Sequence, residues 1–412
     1  MTLIYYRSVK TVIQKVQNSF VVGEERRDCF LFKGIPFAHL EGRFTYPKKK
    51  ELPDFLSCLS YPPASIQEEC EESSIYKKEF YQNVDLNINE ECLYLNIWMP
   101  KKEGKYPVVL FFHGGAYVQG YSYEVEFSGE ALAKSGVIVV TAQYRLGLLG
   151  YLVLENEEGN YGLLDQALAY SWLKENISYF NGDETRISLM GQSAGALSIL
   201  SLLATERFNP YTVTLLSFGG INGPIAPMEM RREEAEKITI EFLKDKGLSK
   251  ETLLRLNTKE ILSLQSDYIK YARGKREDIS FPLSPVYNTS FLKYSFLEAI
   301  ERGCYDSFPL LCGTVKYDLS SEGIMLKATE EFIKRRRGES FVYYFSHLLP
   351  PNNTMPFHSS DLWYVFSTLD RSWRSFKDED YHLSYNLTSS LKAFLSNGKP
   401  DWDKYPYIKE LS

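Results

Sequence analysis

One serine in this chain sits where a hydroxyl is made into a nucleophile. Gly191, Gln192, Ser193, Ala194 and Gly195 form a G-x-S-x-G pentapeptide between a β-like run at 186–190 and an Ala/Leu-rich helical run at 194–204. A sharp strand-to-helix turn would lift the Ser193 hydroxyl into solvent, and the flanking glycines leave room for that turn. A free serine is a weak nucleophile; it needs a base, and the base needs an orienting carboxylate. Upstream, the apolar run at 106–112 leads straight into His113-Gly114-Gly115-Ala116-Tyr117. Backbone there can turn several N–H groups toward one point, as stabilising a developing oxyanion requires. A plain glycine turn would have the same composition, and it is the serine elbow downstream that favours the oxyanion reading.

The base must come from five histidines: His39, His113, His347, His358 and His382. In α/β-hydrolases the chain order is serine, acid, histidine, which leaves the last three. His358 lies in Phe357-His358-Ser359-Ser360-Asp361-Leu362-Trp363, ahead of an amphipathic helical run and so on a loop able to reach the serine. His347 is expected at a strand end and His382 at the surface. The acid is expected on a loop after a late strand. Asp318 is the first carboxylate after the run at 309–314, and Glu322 follows one helical turn later. Either could reach an imidazole; the other would be solvated or would cap a helix.

The positioning elements follow from the pattern of apolar runs. Runs at 93–98, 108–112, 137–141, 187–190, 213–218, 310–312 and 341–345 alternate with helical stretches such as 161–177. That alternation predicts an α/β fold with a mainly parallel central sheet flanked by helices. Residues 228–264 are charged and helix-periodic, and a helical insertion over one end of the sheet is expected at about 224–280 within a single domain of residues 1–412. With 44% hydrophobic and 15% aromatic residues the 412-residue chain can bury a large core. Lys+Arg 47 against Asp+Glu 53 gives a net charge of −6, and the one dense basic run, Lys334 to Arg337, reads as a solvated helix end. No nucleic-acid or membrane partner is expected. Met1 to Gln17 shows no apolar signal core, so the expected location is cytoplasmic. The six cysteines show no C-x-x-C, so no metal site is expected.

Together these residues resemble the type-B carboxylesterase/cholinesterase family of α/β-hydrolases. The resemblance starts at Phe32-Lys33-Gly34-Ile35-Pro36-Phe37-Ala38 and Glu90-Glu91-Cys92-Leu93-Tyr94-Leu95-Asn96-Ile97-Trp98. It continues through the glycine segment, Tyr144-Arg145-Leu146-Gly147, Gly159-Asn160-Tyr161-Gly162-Leu163-Leu164-Asp165-Gln166, the elbow and the histidine segment. Phe394-Leu395-Ser396-Asn397-Gly398-Lys399-Pro400 is similar to the family's closing motif. The resemblance implies an α/β-hydrolase fold with Ser193 as nucleophile, His358 as base and the N–H groups of Gly115, Ala116 and Ala194 as oxyanion donors. The family's acid, most often glutamate, stands five residues after the strand-ending glycine. Counting from Gly313 gives Asp318.

Three departures bear on substrate. Gln192 stands where many relatives have glutamate, which should weaken any preference for cations. Ala116 replaces a third glycine, with little effect because the donor is backbone. Asp318 and His358 are only forty residues apart, so the helical cap should be reduced and the pocket more open. The expected activity is a serine carboxylic-ester hydrolase working through an acyl-enzyme on small to medium, uncharged alkyl or aryl esters, with no cofactor and no metal. Gln192, Tyr117, Phe357 and Trp363 are the pocket candidates. The alternatives are a non-catalytic cholinesterase-like binding protein and an amide hydrolase using the same residues. The family often bridges the cysteine at the Cys92 position to one upstream, here Cys70; in a reducing compartment both are expected as thiols.

Overall fold

A computed structural model of the protein describes residues 9–81, 84–221, 228–318 and 321–412. The seven apolar runs all become strands of one sheet. Its members are β1 (Thr11–Val16), β2 (Ser19–Glu25), β3 (Cys29–Pro36), β4 (Phe55–Ser57), β5 (Tyr94–Pro100) and β6 (Tyr106–Phe112). They are followed by β7 (Ile138–Ala142), β8 (Gly182–Gln192), β9 (Val213–Leu216), β10 (Leu310–Val315), β11 (Ser340–Phe345) and β12 (Ile408–Leu411). The spatial order is β1-β2-β3-β5-β7-β6-β8-β9-β10-β11-β12, with β4 paired to β2.

From β7 to β12 along that order every neighbour is parallel. The end built from β1, β2, β3 and β5 is antiparallel. Parallel strands are covered on both faces, and β6 shows it: Val108, Leu110 and Phe112 enter one core cluster while Val109 and Phe111 enter the other. The first four strands and β12 are not outlined by the sequence. β1 alternates exposed and half-buried positions and so lacks a continuous apolar run.

Of helices α1 (Tyr161–Asn176), α2 (Ala194–Ala204), α3 (Arg232–Lys246), α4 (Thr258–Lys275), α5 (Ile324–Arg335) and α6 (Asp378–Asn397), α3 and α4 pack on each other while the others flank the sheet. The helical segment expected at about 224–280 contains α3 and α4; its first residues, 224–227, lie outside the described residues. Gly247 at φ 64° ends α3, and a reciprocal Asn257–Glu260 capping box opens α4. Ile261, Leu264, Gln265, Tyr268 and Ala272 form the buried stripe of α4. Gln265 Oε1 accepts from the Leu148 N–H at 3.1 Å, tying this stripe to the body of the protein. No helix among the described residues is long and apolar enough to cross a membrane.

Candidate active site

Ser193 follows the last residue of β8 with φ 53° and ψ −119°, and α2 begins at the next residue. This left-handed turn costs a non-glycine residue roughly 1–3 kcal/mol, so the surroundings must hold it. The Ser193 N–H donates to Leu216 O at 3.0 Å. A Cβ on Gly191 would strike the carbonyl of Gly195, and one on Gly195 would strike Phe112 O. Both glycines of the pentapeptide are therefore dictated by close backbone approach.

Beside it, the segment after β6 runs through three successive positive φ values: 98° at Gly115, 53° at Ala116 and 64° at Tyr117. The Gly115 carbonyl accepts from the Val118 and Gln119 N–H groups, each at 3.0 Å. Among the described residues the N–H groups of Gly115 and Ala116 have no acceptor, and Ala194 opens a helix whose first N–H groups lack intrahelical partners. Gln67 pins the far end of this segment, donating to Gly120 O at 2.9 Å and accepting from Gly120 N at 2.8 Å. Burial pushes the His113 imidazole down to about 4, so it stays neutral, stacked on Tyr144 and bonded to Gly114 O.

The His358 Nδ1 lies 2.9 Å from Asp318 Oδ1 and 2.8 Å from Asp318 Oδ2. A carboxylate at Nδ1 makes that nitrogen the donor and leaves Nε2 as the acceptor. Burial works against the charged imidazole, but Asp318 and, behind it, Asp361 outweigh burial and hold the His358 pKa above its ordinary value. Asp318 is 1% exposed. Glu322 does not share this position: it is exposed, accepts from the Tyr317 hydroxyl at 3.0 Å and pairs with Lys316 at 3.3 Å. Nor is it one helical turn on. Tyr317–Asp318 and Ser321–Glu322 form a small antiparallel ladder that points the two carboxylates apart, and α5 begins only at Ile324.

The other histidines lie elsewhere. His347 Nε2 bonds Asp380 at 2.8 Å, and His382 is exposed on α6. The helix after His358 is not amphipathic, since Leu362, Trp363, Tyr364 and Val365 are all buried. Trp363 donates its indole N–H to Glu79, which pairs with Arg374 at 2.7 Å in the core. Asp361, unremarked in the sequence, accepts from Tyr343 at 2.6 Å and from Ser217 at 3.3 Å and so anchors the histidine segment. Its only sequence signal is a carboxylate three residues after His358.

A cavity of about 500 Å³ opens onto Ser193, His358 and residues 114–116. Tyr76, Phe80, Phe127, Leu362, Ile279, Phe281 and Met325 are among its apolar lining. Of the pocket candidates, Gln192 lines the cavity. Tyr117 and Trp363 do not; each is at most 1% exposed and packs in the core, where a large ring buries the most apolar area. Phe357 packs edge-on against Tyr76, one step behind the wall. Glu124 and Glu126 also line the cavity. Burial pushes Glu124 up to about 7, and burial together with the Glu124 charge pushes Glu126 well up. Among the described residues no three His, Cys, Asp or Glu side chains gather as a metal site. All six cysteines are free, with Cys92 buried.

Comparison with known proteins gives this geometry its family. The chain is 29% identical to the para-nitrobenzyl esterase of Bacillus subtilis over 95% of its own length and 92% of that protein's. To the mouse cholinesterase it is 34% identical, over 55% of this chain and 39% of that protein. A solved structure of a PNB esterase superposes with a TM-score of 0.82 at 25% identity, covering 97% of this chain and 95% of that one. The fold is also that of a Geobacillus stearothermophilus carboxylesterase, with a TM-score of 0.78 at 22% identity over 97% and 96% of the two chains. The sequence profile of the carboxylesterase family matches residues 10–332, and this chain, an α/β-hydrolase and a carboxylic-ester hydrolase, belongs to that family.

Proposed function

We propose that the protein hydrolyses uncharged alkyl and aryl esters of small to medium size through an acyl-enzyme formed on Ser193. His358 Nε2 takes the Ser193 proton as the oxygen attacks the ester carbonyl. Asp318 fixes the imidazole through Nδ1, and the Gly115, Ala116 and Ala194 N–H groups receive the negative charge that develops on the carbonyl oxygen. The alcohol leaves with the proton from His358, and a water activated by the same imidazole releases the acid. The chain is read as one domain whose segment around α3 and α4 supplies part of the cavity wall.

The observation that carries this reading is the two-oxygen contact of Asp318 with His358 Nδ1 beside a cavity that also contains Ser193. No Ser193 Oγ–His358 hydrogen bond is formed among the described residues, in keeping with catalytic contacts that tighten only around substrate. The preference for uncharged esters is supported by the apolar side chains in the cavity lining and by the raised pKa values of Glu124 and Glu126, although Arg273 and Glu277 also line it. The test is turnover of p-nitrophenyl esters of graded acyl length beside matched anilides and matched esters bearing a quaternary ammonium. Neutral esters of small to medium acyl length should lead. Faster turnover of the anilides or of the cationic esters would overturn the substrate assignment.

A further inference from the structure

The histidine segment and the nucleophile strand are joined by a side-chain bridge that the proposed mechanism does not use. Gln192 ends β8 immediately before Ser193. Its Nε2 donates to Ser359 Oγ at 2.6 Å and approaches His358 Nε2 at 3.5 Å. Its Oε1 packs so closely on Gly114 that a Cβ there would collide with it. Ser359 in turn sits in a left-handed conformation, φ 73°, and its N–H donates to Ser217 Oγ at 3.1 Å. Gln192 and Ser359 are each 5% exposed, at the edge of the cavity.

We infer that Gln192 and Ser359 form a clamp that positions His358 for the reaction of Ser193, making both positioning residues; this rests on the catalytic reading given above. The carboxamide nitrogen is held by Ser359, and its oxygen lies close against Gly114. In that orientation the carboxamide faces the acceptor nitrogen of the imidazole without displacing it from Asp318. A carboxylate at the same position would have bonded the Ser359 hydroxyl equally well. It would also have added a negative charge next to Nε2. The charged groups that act on His358 among the described residues are Asp318, from the ladder after β10, and Asp361, from the histidine's own segment. Gln192 therefore gives the geometric tie without a third charge.

The test is a double-mutant cycle on neutral-ester turnover with Gln192→Leu, Ser359→Ala and the pair, together with Gln192→Glu. A misplacement of the base slows the chemical step far more than binding, so each single change should lower kcat by about tenfold with KM nearly unchanged. The pair should be no worse than either single change, since both remove one contact. Gln192→Glu should move the acid limb of the kcat/KM profile up by roughly one pH unit, because a negative charge near Nε2 favours the imidazolium. Losses that multiply to about a hundredfold in the pair, singles that change only KM, or an unmoved limb in Gln192→Glu would each overturn the clamp. That last measurement stands even where Gln192→Leu does not fold. Turnover that persists in Ser193→Ala would instead overturn the catalytic reading, and the two failures are told apart by that control.

Discussion

Replacing Asp318 by asparagine tests the most consequential contact in the site. Both carboxylate oxygens lie within 2.9 Å of His358 Nδ1, and the aspartate is buried, so no solvent group takes over its role. An asparagine keeps the volume but removes the charge and can offer its NH₂ to Nδ1, which selects the wrong tautomer and leaves Nε2 protonated. Neutralising a triad acid in this way costs roughly 10⁴ in kcat. At about 1.4 kcal/mol per decade that is about 5.5 kcal/mol of barrier. The direction of the pH profile follows from the same contact. Neutral His358 is the active form; burial lowers its pKa, and Asp318 with Asp361 more than offsets burial. Without the Asp318 charge the acid limb must move to lower pH. The assay is the initial rate of p-nitrophenyl butanoate hydrolysis from pH 5 to 10 for Asp318→Asn and Glu322→Gln. A loss below tenfold in the first, a larger loss in the second, or a limb that rises would refute the reasoning.

Ser193→Ala should lower kcat by about 10⁶, and an organophosphonate should label wild type at Ser193 alone; labelling that survives the substitution contradicts this. His358→Ala should be nearly as damaging, whereas His382→Ala should keep almost full activity because its side chain is on the exposed face of α6. His347→Ala should lower the melting temperature more than the rate, since it removes the Asp380 contact and not a reacting group; a dead but fully stable variant would count against that. Burial pushes the Cys29, Cys58, Cys92 and Cys312 thiols up to about 12, so iodoacetamide at pH 8 should alkylate the half-buried Cys70 and Cys304 first. Peptide mapping that finds Cys92 modified earliest would reverse that ranking.

The sequence shows some elements plainly and others hardly at all, and the difference is physical. Parallel strands buried on both faces must be apolar along their whole length, which is why the runs at 108–112 and 310–312 stand out. β1 has polar residues at alternate positions and one solvated face, so its composition resembles a loop. Ser193 and the 114–116 segment are legible because glycine is forced on them by backbone contacts. The separation of Asp318 from Glu322 is not legible, since it depends on a two-residue ladder whose pairing Tyr317 with Glu322 has no local signature. Nearness in sequence points Tyr117 and Trp363 to the pocket, and the structure places both in the core. Sequence proximity says nothing of which face of a turn a ring occupies. Asp361 and Ser217 escape for the same reason: their partnership spans 144 residues.

The short span between Asp318 and His358 becomes intelligible from where each group leaves the sheet. The glycine segment follows β6, Ser193 follows β8, Asp318 lies just past β10 and His358 past β11, all at the carboxyl ends of parallel strands, where α/β folds gather their ligands. β8 and β11 are separated by β9 and β10, a lateral distance of roughly 14 Å at about 4.8 Å per strand. His358 therefore has to return across two strands to meet Ser193, and it is braced along that return by residues of the strands it crosses or leaves. Ser217 stands just past β9, and Tyr343 lies within β11; both hold Asp361. Asp318 needs only a short arm because β10 is one of the strands being crossed, so its carboxylate meets the imidazole from the flank. None of these braces belongs to the stretch between α5 and β11. Residues there can be few without moving the base.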